Sequence, residues 1–439
     1  MLEGSFSEAK PTQRPLQRTG FLLFWAGETV SMFGTQITML ALPLTAVLVL
    51  HATPPQLGFV RFVEQFPYVL FTLLFGAWAD RRRRKPILIM TNAARGLLIG
   101  LVPLLAILGL LQLPLLGTIA FAVGAFTVLF DVTWLAYVPT LIEPDELLAA
   151  NGRVLTSSAA AEVAGPGLAG ILVQLLTAPL ALVTDAVSYV AAAISLLLIR
   201  TPEPVQRSAT GQRPDLLREI GEGFQVLLRN RYLRAITVMS GLWNFLFSVA
   251  DTVFLLYAVR ELSLQPGTLG IIFAVGAVGG LVGSAISTHL GKRGTFGPVL
   301  GVAFIFGCLP WLLLPAVSGS QPIEIAAFTL AYFLVRLGLG LWGVLTLSLR
   351  QAITPLHLMS RVSASMRLVS YGLGALGFLL SGILGTLVGL RATLWLTAFG
   401  FVAILIITLA ATPLPSVRAI PGAEEMSHPD AVKETPATP

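Results

Sequence analysis

Eleven ionisable side chains lie inside long apolar stretches of this 439-residue chain. The acids are Glu28, Glu64, Asp131, Glu162, Asp185 and Asp251, and the bases are Arg61, Arg95, Arg153, Arg336 and Arg367. A charge in hydrocarbon costs several kcal/mol unless it is paired or wetted, so each is a functional candidate by default. A desolvated carboxyl reached alternately from two sides can exchange protons or hold a cationic ligand. Bond-making chemistry has no comparable support. Cys308 is the only cysteine, and His51, His289, His357 and His428 show no zinc-ligand spacing, so no metal or other cofactor is expected. No Ser/His/Asp, His-Glu-x-x-His or paired-cysteine arrangement argues for an enzyme, and no Gly-x-x-x-x-Gly-Lys-Ser/Thr loop argues for ATP use by this chain.

The elements that must carry these charges are membrane helices. The chain is 55% hydrophobic and 11% charged, whereas soluble chains carry about 25% charged residues. A bilayer-spanning helix needs about 20 apolar residues. The pattern predicts twelve spans, at 21–48, 56–79, 86–110, 114–138, 148–176 and 179–200, then 233–259, 267–290, 296–316, 323–349, 358–388 and 391–412. The first holds Glu28 and lacks a small-residue cleavage site, so it reads as a retained helix.

The net charge of +6 is an orientation device, not a nucleic-acid footprint. Lys10, Arg14, Arg18, Arg81 to Lys85, Lys292, Arg293 and the cluster from Arg200 to Arg234 fall on one side, while Arg260 and Arg391 fall on the other. That asymmetry places both termini in the cytoplasm, with weak attraction to anionic lipid as a by-product. The domains follow as a cytoplasmic segment 1–20, a six-helix bundle 21–200, a cytoplasmic linker 201–232, a second bundle 233–412 and a disordered cytoplasmic tail 413–439. Within the linker, Leu216, Leu217, Ile220, Phe224, Leu227 and Leu228 recur at helical spacing and are expected on the membrane surface, with Arg218, Glu219 and Glu222 in water.

Among the embedded charges, Glu28 shares a polar face with Ser31, Gly34, Thr35 and Gln36 and binds either a proton, a cationic substrate or a structural hydrogen-bond partner. Glu162 lies one turn before Pro166 and either couples protons or bonds a neighbouring helix. Asp131 is expected to pair with Arg95, or else to couple protons, and Arg61 with Glu64 three residues on near the outer cavity, or else to bind substrate. Asp185 is expected near the outer start of span six, where an acid suits the helix dipole. Asp251 and Asn244 share a candidate cavity face of span seven, while Arg336 and Arg367 supply positive potential or neutralise carbonyls. Aromatic residues such as Phe24, Trp25, Phe33, Trp134, Tyr137, Trp243 and Phe247 line either a cavity, the core or the lipid.

Two stretches carry a family likeness. The loop Gly76-Ala-Trp-Ala-Asp80-Arg81-Arg-Arg-Arg84-Lys85 resembles the loop between helices 2 and 3 of the major facilitator superfamily, with Arg83 where that pattern has a second glycine. The fifth span resembles the superfamily's antiporter signature at Gly152, Gly165, Pro166 and Gly170, with Ala161 and Ala169 replacing two glycines. Pro166 removes the bond to the carbonyl of Glu162 and bends the helix. Gly76 and Gly283, with the basic loops after them, and Arg153-Val154 and Arg361-Val362 repeat at offsets near 207, as expected of two parallel six-helix halves.

Residues 138–151, 348–355 and Ser360-Arg-Val are similar to the branch containing bacterial macrolide-efflux pumps and the enterobactin exporter. The resemblance implies that Asp80 and Arg81 lock the cytoplasmic side by meeting span eleven near Arg361. It also implies that the fifth span closes the extracellular side against Gly276, Gly279, Gly280, Gly283 and Ser284 of span eight. The chain is therefore expected to be an all-α membrane protein of two pseudo-symmetric six-helix bundles in a bacterial inner membrane. It is expected to work as a monomer and export small lipophilic molecules by exchange for protons. Export of a dedicated metabolite or siderophore, import, and an enzyme or scaffold on the same fold stay open.

Overall fold

The computed structural model describes residues 14–79, 81–143, 145–201, 216–290, 296–355 and 358–417. The first half holds α1 (Arg14–Leu44), α2 (Pro54–Ala79), α3 (Arg84–Ile107), α4 (Leu113–Tyr137), α5 (Leu147–Leu176) and α6 (Ala178–Leu198). After the linker helix α7 (Leu216–Arg229) come α8 (Arg231–Arg260), α9 (Pro266–Leu290), α10 (Phe296–Cys308), α11 (Leu313–Ala316), α12 (Gln321–Ile353), α13 (Met359–Leu387) and α14 (Leu390–Ala411). A 3₁₀ stretch at Leu309–Leu312 joins α10 to the short α11, so these form one span. Among the described residues, 12 helical spans are long and apolar enough to cross a membrane.

Helix ends follow residue chemistry. Pro54, Pro114, Pro179, Pro266 and Pro322 stand at or next to the first helical position, where the missing N–H has no intrahelical partner to lose. Inside α1, Pro43 cannot donate to the carbonyl one turn back, and the helix loosens into a π turn over Thr45–Val49. Exposed side chains such as Leu97, Leu175, Leu197 and Leu387 cover the outer faces, as expected where lipid is the solvent.

Helices α1 to α6 pack on one another, as do α8 to α14. Two seams join the halves, α2 with α13 and α5 with α9. Both are tight at the end opposite the Arg81–Lys85 loop, called here the far end. Gly170 of α5 meets Gly267 and Gly270 of α9 so closely that a methyl group at Gly170 or Gly270 would overlap the opposing backbone. The small residues expected to serve this seam do otherwise: Gly276, Gly279 and Gly283 press on Tyr332, Phe333 and Leu337 of α12. Helix periodicity explains the correction, since Gly267, Gly270 and Ala274 share a different face of α9.

Two other expectations change. Leu227 and Phe224 of α7, expected to face the membrane surface, instead pack into the protein, the helix lying against α8 and α13, while Leu228 is exposed. Of the tail, residues 413–417 are ordered: Leu414 is buried and the Val417 carbonyl accepts a bond from Gly297 at 2.7 Å. Residues 418–439 lie outside the described residues.

The corner between α5 and α6 is one residue, Thr177, at φ 97° and ψ 157°. Gly389 makes the equivalent corner between α13 and α14 at φ 85° and ψ 164°. That backbone region is nearly exclusive to glycine and costs other residues about 1–3 kcal/mol. Thr177→Gly should therefore raise the apparent Tm of the purified protein, by about 1 kcal/mol of stability after the entropy glycine adds to the unfolded chain. Gly389→Thr should lower it, and a thermal melt in detergent reads both.

Candidate functional site

Arg95 organises the interior of the first half. Thr91, Asn92, Arg95, Gly96 and Ile99 form the buried stripe of α3. The Arg95 guanidinium lies 4.2 Å from the Phe130 ring centroid on α4 and 4.4 Å from that of Tyr189 on α6. Its Nη2 donates to Asn92 Oδ1 at 2.6 Å. A planar cation between two π faces is desolvated without being abandoned.

Three carboxyls surround this cation at longer range: Glu28 on α1, Asp131 on α4 and Asp185 on α6 all feel its charge. None forms an ion pair with it among the described residues, so the expected Arg95–Asp131 pair is not made. The rings and Asn92 occupy the guanidinium, and Asp131 instead accepts a hydrogen bond from Tyr68 of α2 at 3.0 Å. Asp185 is not at a helix start but two turns inside α6, fully buried, accepting from Thr38 of α1 and from Ser188 at 3.0 Å. Glu28 is half-buried and has no hydrogen bond or ion pair among the described residues. Arg367 of α13 also acts on Asp131, so Arg95 is the cation shared by Glu28 and Asp185, and one of these two acids is left without a counter-charge unless a proton or a cationic ligand joins it.

A second group crosses between the halves. Arg61 of α2 donates to Asp251 of α8 at 2.5 Å, not to Glu64, and its guanidinium lies 5.3 Å from the Phe378 ring centroid on α13. Tyr68 and Tyr371 bring their ring centroids to 5.0 Å. Nearer the far end, Arg260 donates to the Ala52 carbonyl at 2.6 Å and Gln174 to Gln265 at 2.9 Å. The Arg61–Glu64 expectation failed because side chains three apart on one helix compete with a whole opposing helix. Tyr68 was missed although its spacing of four and seven from Glu64 and Arg61 marks the same face.

Of the other candidates, Arg367 adds its charge to Asp131 and Tyr371, and Arg336 acts with Asp251 and Arg61 on Tyr332. Glu162 is exposed and makes no hydrogen bond among the described residues, so it does not bond a neighbouring helix. Arg153, Arg336 and Arg367 are exposed and donate to no carbonyl among the described residues. Arg361 pairs with Glu222 of α7. Asp80 lies outside the described residues. In the loop after it, Arg83 has φ −65°, so nothing there demands the family's glycine. Arg84 donates to the Ala136 carbonyl at 2.8 Å and Lys85 to that of Ile199 at 2.5 Å, pinning α3 to the ends of α4 and α6. In the fifth-span signature, Gly165 leaves room for Gln36 of α1, Gly170 meets α9, and Gly152 faces open space.

The family model for the major facilitator superfamily matches residues 24–377. The chain belongs to the major facilitator superfamily. Among curated relatives it is 24% identical to macrolide efflux protein A of Streptococcus pyogenes over 61% of this chain and 65% of that protein, so the match spans just under two thirds of that relative. It is 23% identical to the multidrug efflux pump Tap of Mycolicibacterium fortuitum over 82% of this chain and 88% of that one. The solved nucleoside transporter NupG is 11% identical with a TM-score of 0.71, covering 90% of this chain and 98% of its own. A bacterial homologue of the lysosomal transporter Spinster is 15% identical with a TM-score of 0.68, covering 94% and 100%. At these identities the two structures speak to the fold alone.

In this major facilitator superfamily member, removing one member of the Arg61–Asp251 pair leaves a part-buried charge alone, at a cost of about 3–5 kcal/mol. Asp251→Leu should shift the far end towards opening by at least about a hundredfold, and Arg61→Met with Asp251→Leu should recover most of the closure. Thiol labelling of a cysteine placed at Gln36 reads the shift. Arg95→Lys should lose the double stack and cost about 1–2 kcal/mol in a detergent melt, because a compact ammonium cannot replace a planar guanidinium.

Proposed function

We propose that this transporter exports small lipophilic compounds, cationic ones included, in exchange for protons entering the cell. The carrying observation is Glu28, which shares the Arg95 charge with Asp185 and has no protein partner among the described residues, on the helix that holds Asp185 through Thr38. An acid that is neutralised by either a proton or a cation is what obligatory exchange requires, because the two ligands cannot both be accommodated. The far end is held by the Arg61–Asp251 pair and by close backbone contact at two seams. Rocking the halves about the Arg95 region would break these contacts and expose the acids to the other side.

Efflux is favoured by two relatives whose names say macrolide efflux and multidrug efflux. The side bearing Arg81 to Lys85 would be cytoplasmic, by the positive-inside rule. On this reading the protein sits in a bacterial inner membrane with both termini inside, and one chain suffices for the cycle. Asp185 joins Glu28 and Asp131 as a coupling candidate, while Glu162, exposed on α5, becomes a weaker one.

The test is accumulation of ethidium in energised inverted membrane vesicles. Wild-type vesicles should accumulate it and lose it on adding a protonophore. Glu28→Gln and Asp185→Asn should each abolish proton-driven accumulation by at least about tenfold while leaving protein levels unchanged. Accumulation that survives the protonophore would refute proton exchange, and gradient-driven loss of dye from the vesicles would refute export.

A further inference from the structure

The second half contains a recess that none of the charged groups enters. It lies among α8, α10 and α12, has a volume of about 110 Å³, and is lined chiefly by Ser240, Trp243, Asn244, Phe304, Gly307 and Trp342. Asn244 and Ser240 stand seven and eleven positions before Asp251, on the same face of α8. Asp251 reaches across to Arg61 of the other half. That face therefore looks between the halves, and the recess opens from there.

Its walls are rigid and flat. Trp243 stacks on Phe247 with centroids 5.0 Å apart and donates Nε1–H to the Gly307 carbonyl at 3.1 Å. Trp342 packs on Phe304 at 4.6 Å and donates Nε1–H to Ser240 Oγ at 3.3 Å. Both indoles are thereby fixed before any ligand arrives, which lowers the ordering cost of binding. Asn244 gives one N–H to the Ser240 carbonyl at 3.0 Å, which leaves its Oδ1 and second N–H unused among the described residues. The Ser240 hydroxyl proton is likewise unused. No ionisable side chain lines the recess.

We infer that this recess is a subsite for one flat, uncharged aromatic ring of the transported molecule, oriented by Asn244 and Ser240. The inference rests on the export of lipophilic compounds proposed above and names what they have in common. An apolar cavity of about 150 Å³ holds one benzene, whereas drug-sized ligands need about 300 Å³ or more. At about 110 Å³ and open on one side, the recess is smaller than that cavity, so it admits the leading part of one ring and leaves the remainder of the molecule in the space between the halves. A cationic group on that remainder would meet the acids around Arg95. One ligand would then touch both halves at once, with selection for ring shape in the second and for charge in the first.

Gly307 offers a direct test. A Cβ built there meets nothing nearer than Trp243 Nε1 at 3.8 Å, so a larger side chain fills the recess without striking the backbone. Calorimetric titration of the purified full-length protein would compare ethidium, whose phenyl substituent is an uncharged aromatic ring attached to a cationic ring system, with tetrabutylammonium, an aliphatic cation of equal charge. Wild type should bind both. Gly307→Val should weaken ethidium at least about tenfold, or 1.4 kcal/mol, and leave tetrabutylammonium within about twofold. Asn244→Leu should do the same and carries the test should Gly307→Val fail to give a monodisperse protein. Unchanged ethidium affinity in the variants, or equal weakening of both probes, would overturn the subsite while leaving lipophilic export standing. Wild-type protein that binds neither probe would overturn the lipophilic reading, and the subsite with it.

Discussion

A guanidinium cannot stay in a water-free interior unless the protein surrounds it, and in the first half Arg95 sets that demand. The solution recruits three other helices. Phe130 and Tyr189 cover the two faces of the cation from α4 and α6, and Asn92 takes one edge. Tyr189 in turn shares a hydrogen bond with Thr35 of α1 at 3.2 Å. Aromatic faces and an amide enclose the cation, with its buried Nε unpartnered among the described residues, and the acids nearby form no ion pair with it. They stay available for mobile partners, which direct pairing would have prevented.

The charge that crosses between the halves is handled in the opposite way. Arg61 and Asp251 are matched one to one, part-exposed, and each belongs to a different rigid half. A pair of that kind is strong while the seam is shut and can be exchanged for water when it opens. In the proposed transport cycle the wrapped cation would keep its surroundings in each state, while the paired one would distinguish the states. Two devices built from the same residue type thus divide permanence from switching.

Much of this could be read without coordinates. The twelve spans came from hydropathy alone, and the basic loop and fifth-span glycines identified the family. The partners of the charges were not legible. Arg61 and Glu64 sit at a favourable spacing on one helix, yet the choice of Asp251 depends on how α8 is presented across a seam no local pattern encodes. Arg95 and Asp131 share a depth, but depth says nothing about rotation, and the rings of Phe130 and Tyr189 intervene. The glycines of α9 were correctly seen as close-packing residues and assigned to the wrong neighbour, because a helix rich in small residues has more than one face to offer. Asp185 was read as an acid at the start of its helix, although the span expected from 179 and the observed start at Ala178 both put it about two turns inside.

The linker helix belongs to one half. With Leu227 buried against the second bundle and Glu222 bound to Arg361, α7 has no separate existence from α8 and α13. The true joint of the chain therefore precedes Leu216, and whatever length separates the halves is shorter than the stretch of polar sequence suggests. Anyone dividing this protein into two co-expressed polypeptides should place the cut ahead of that helix, since a cut behind it would strip the second fragment of part of its own core.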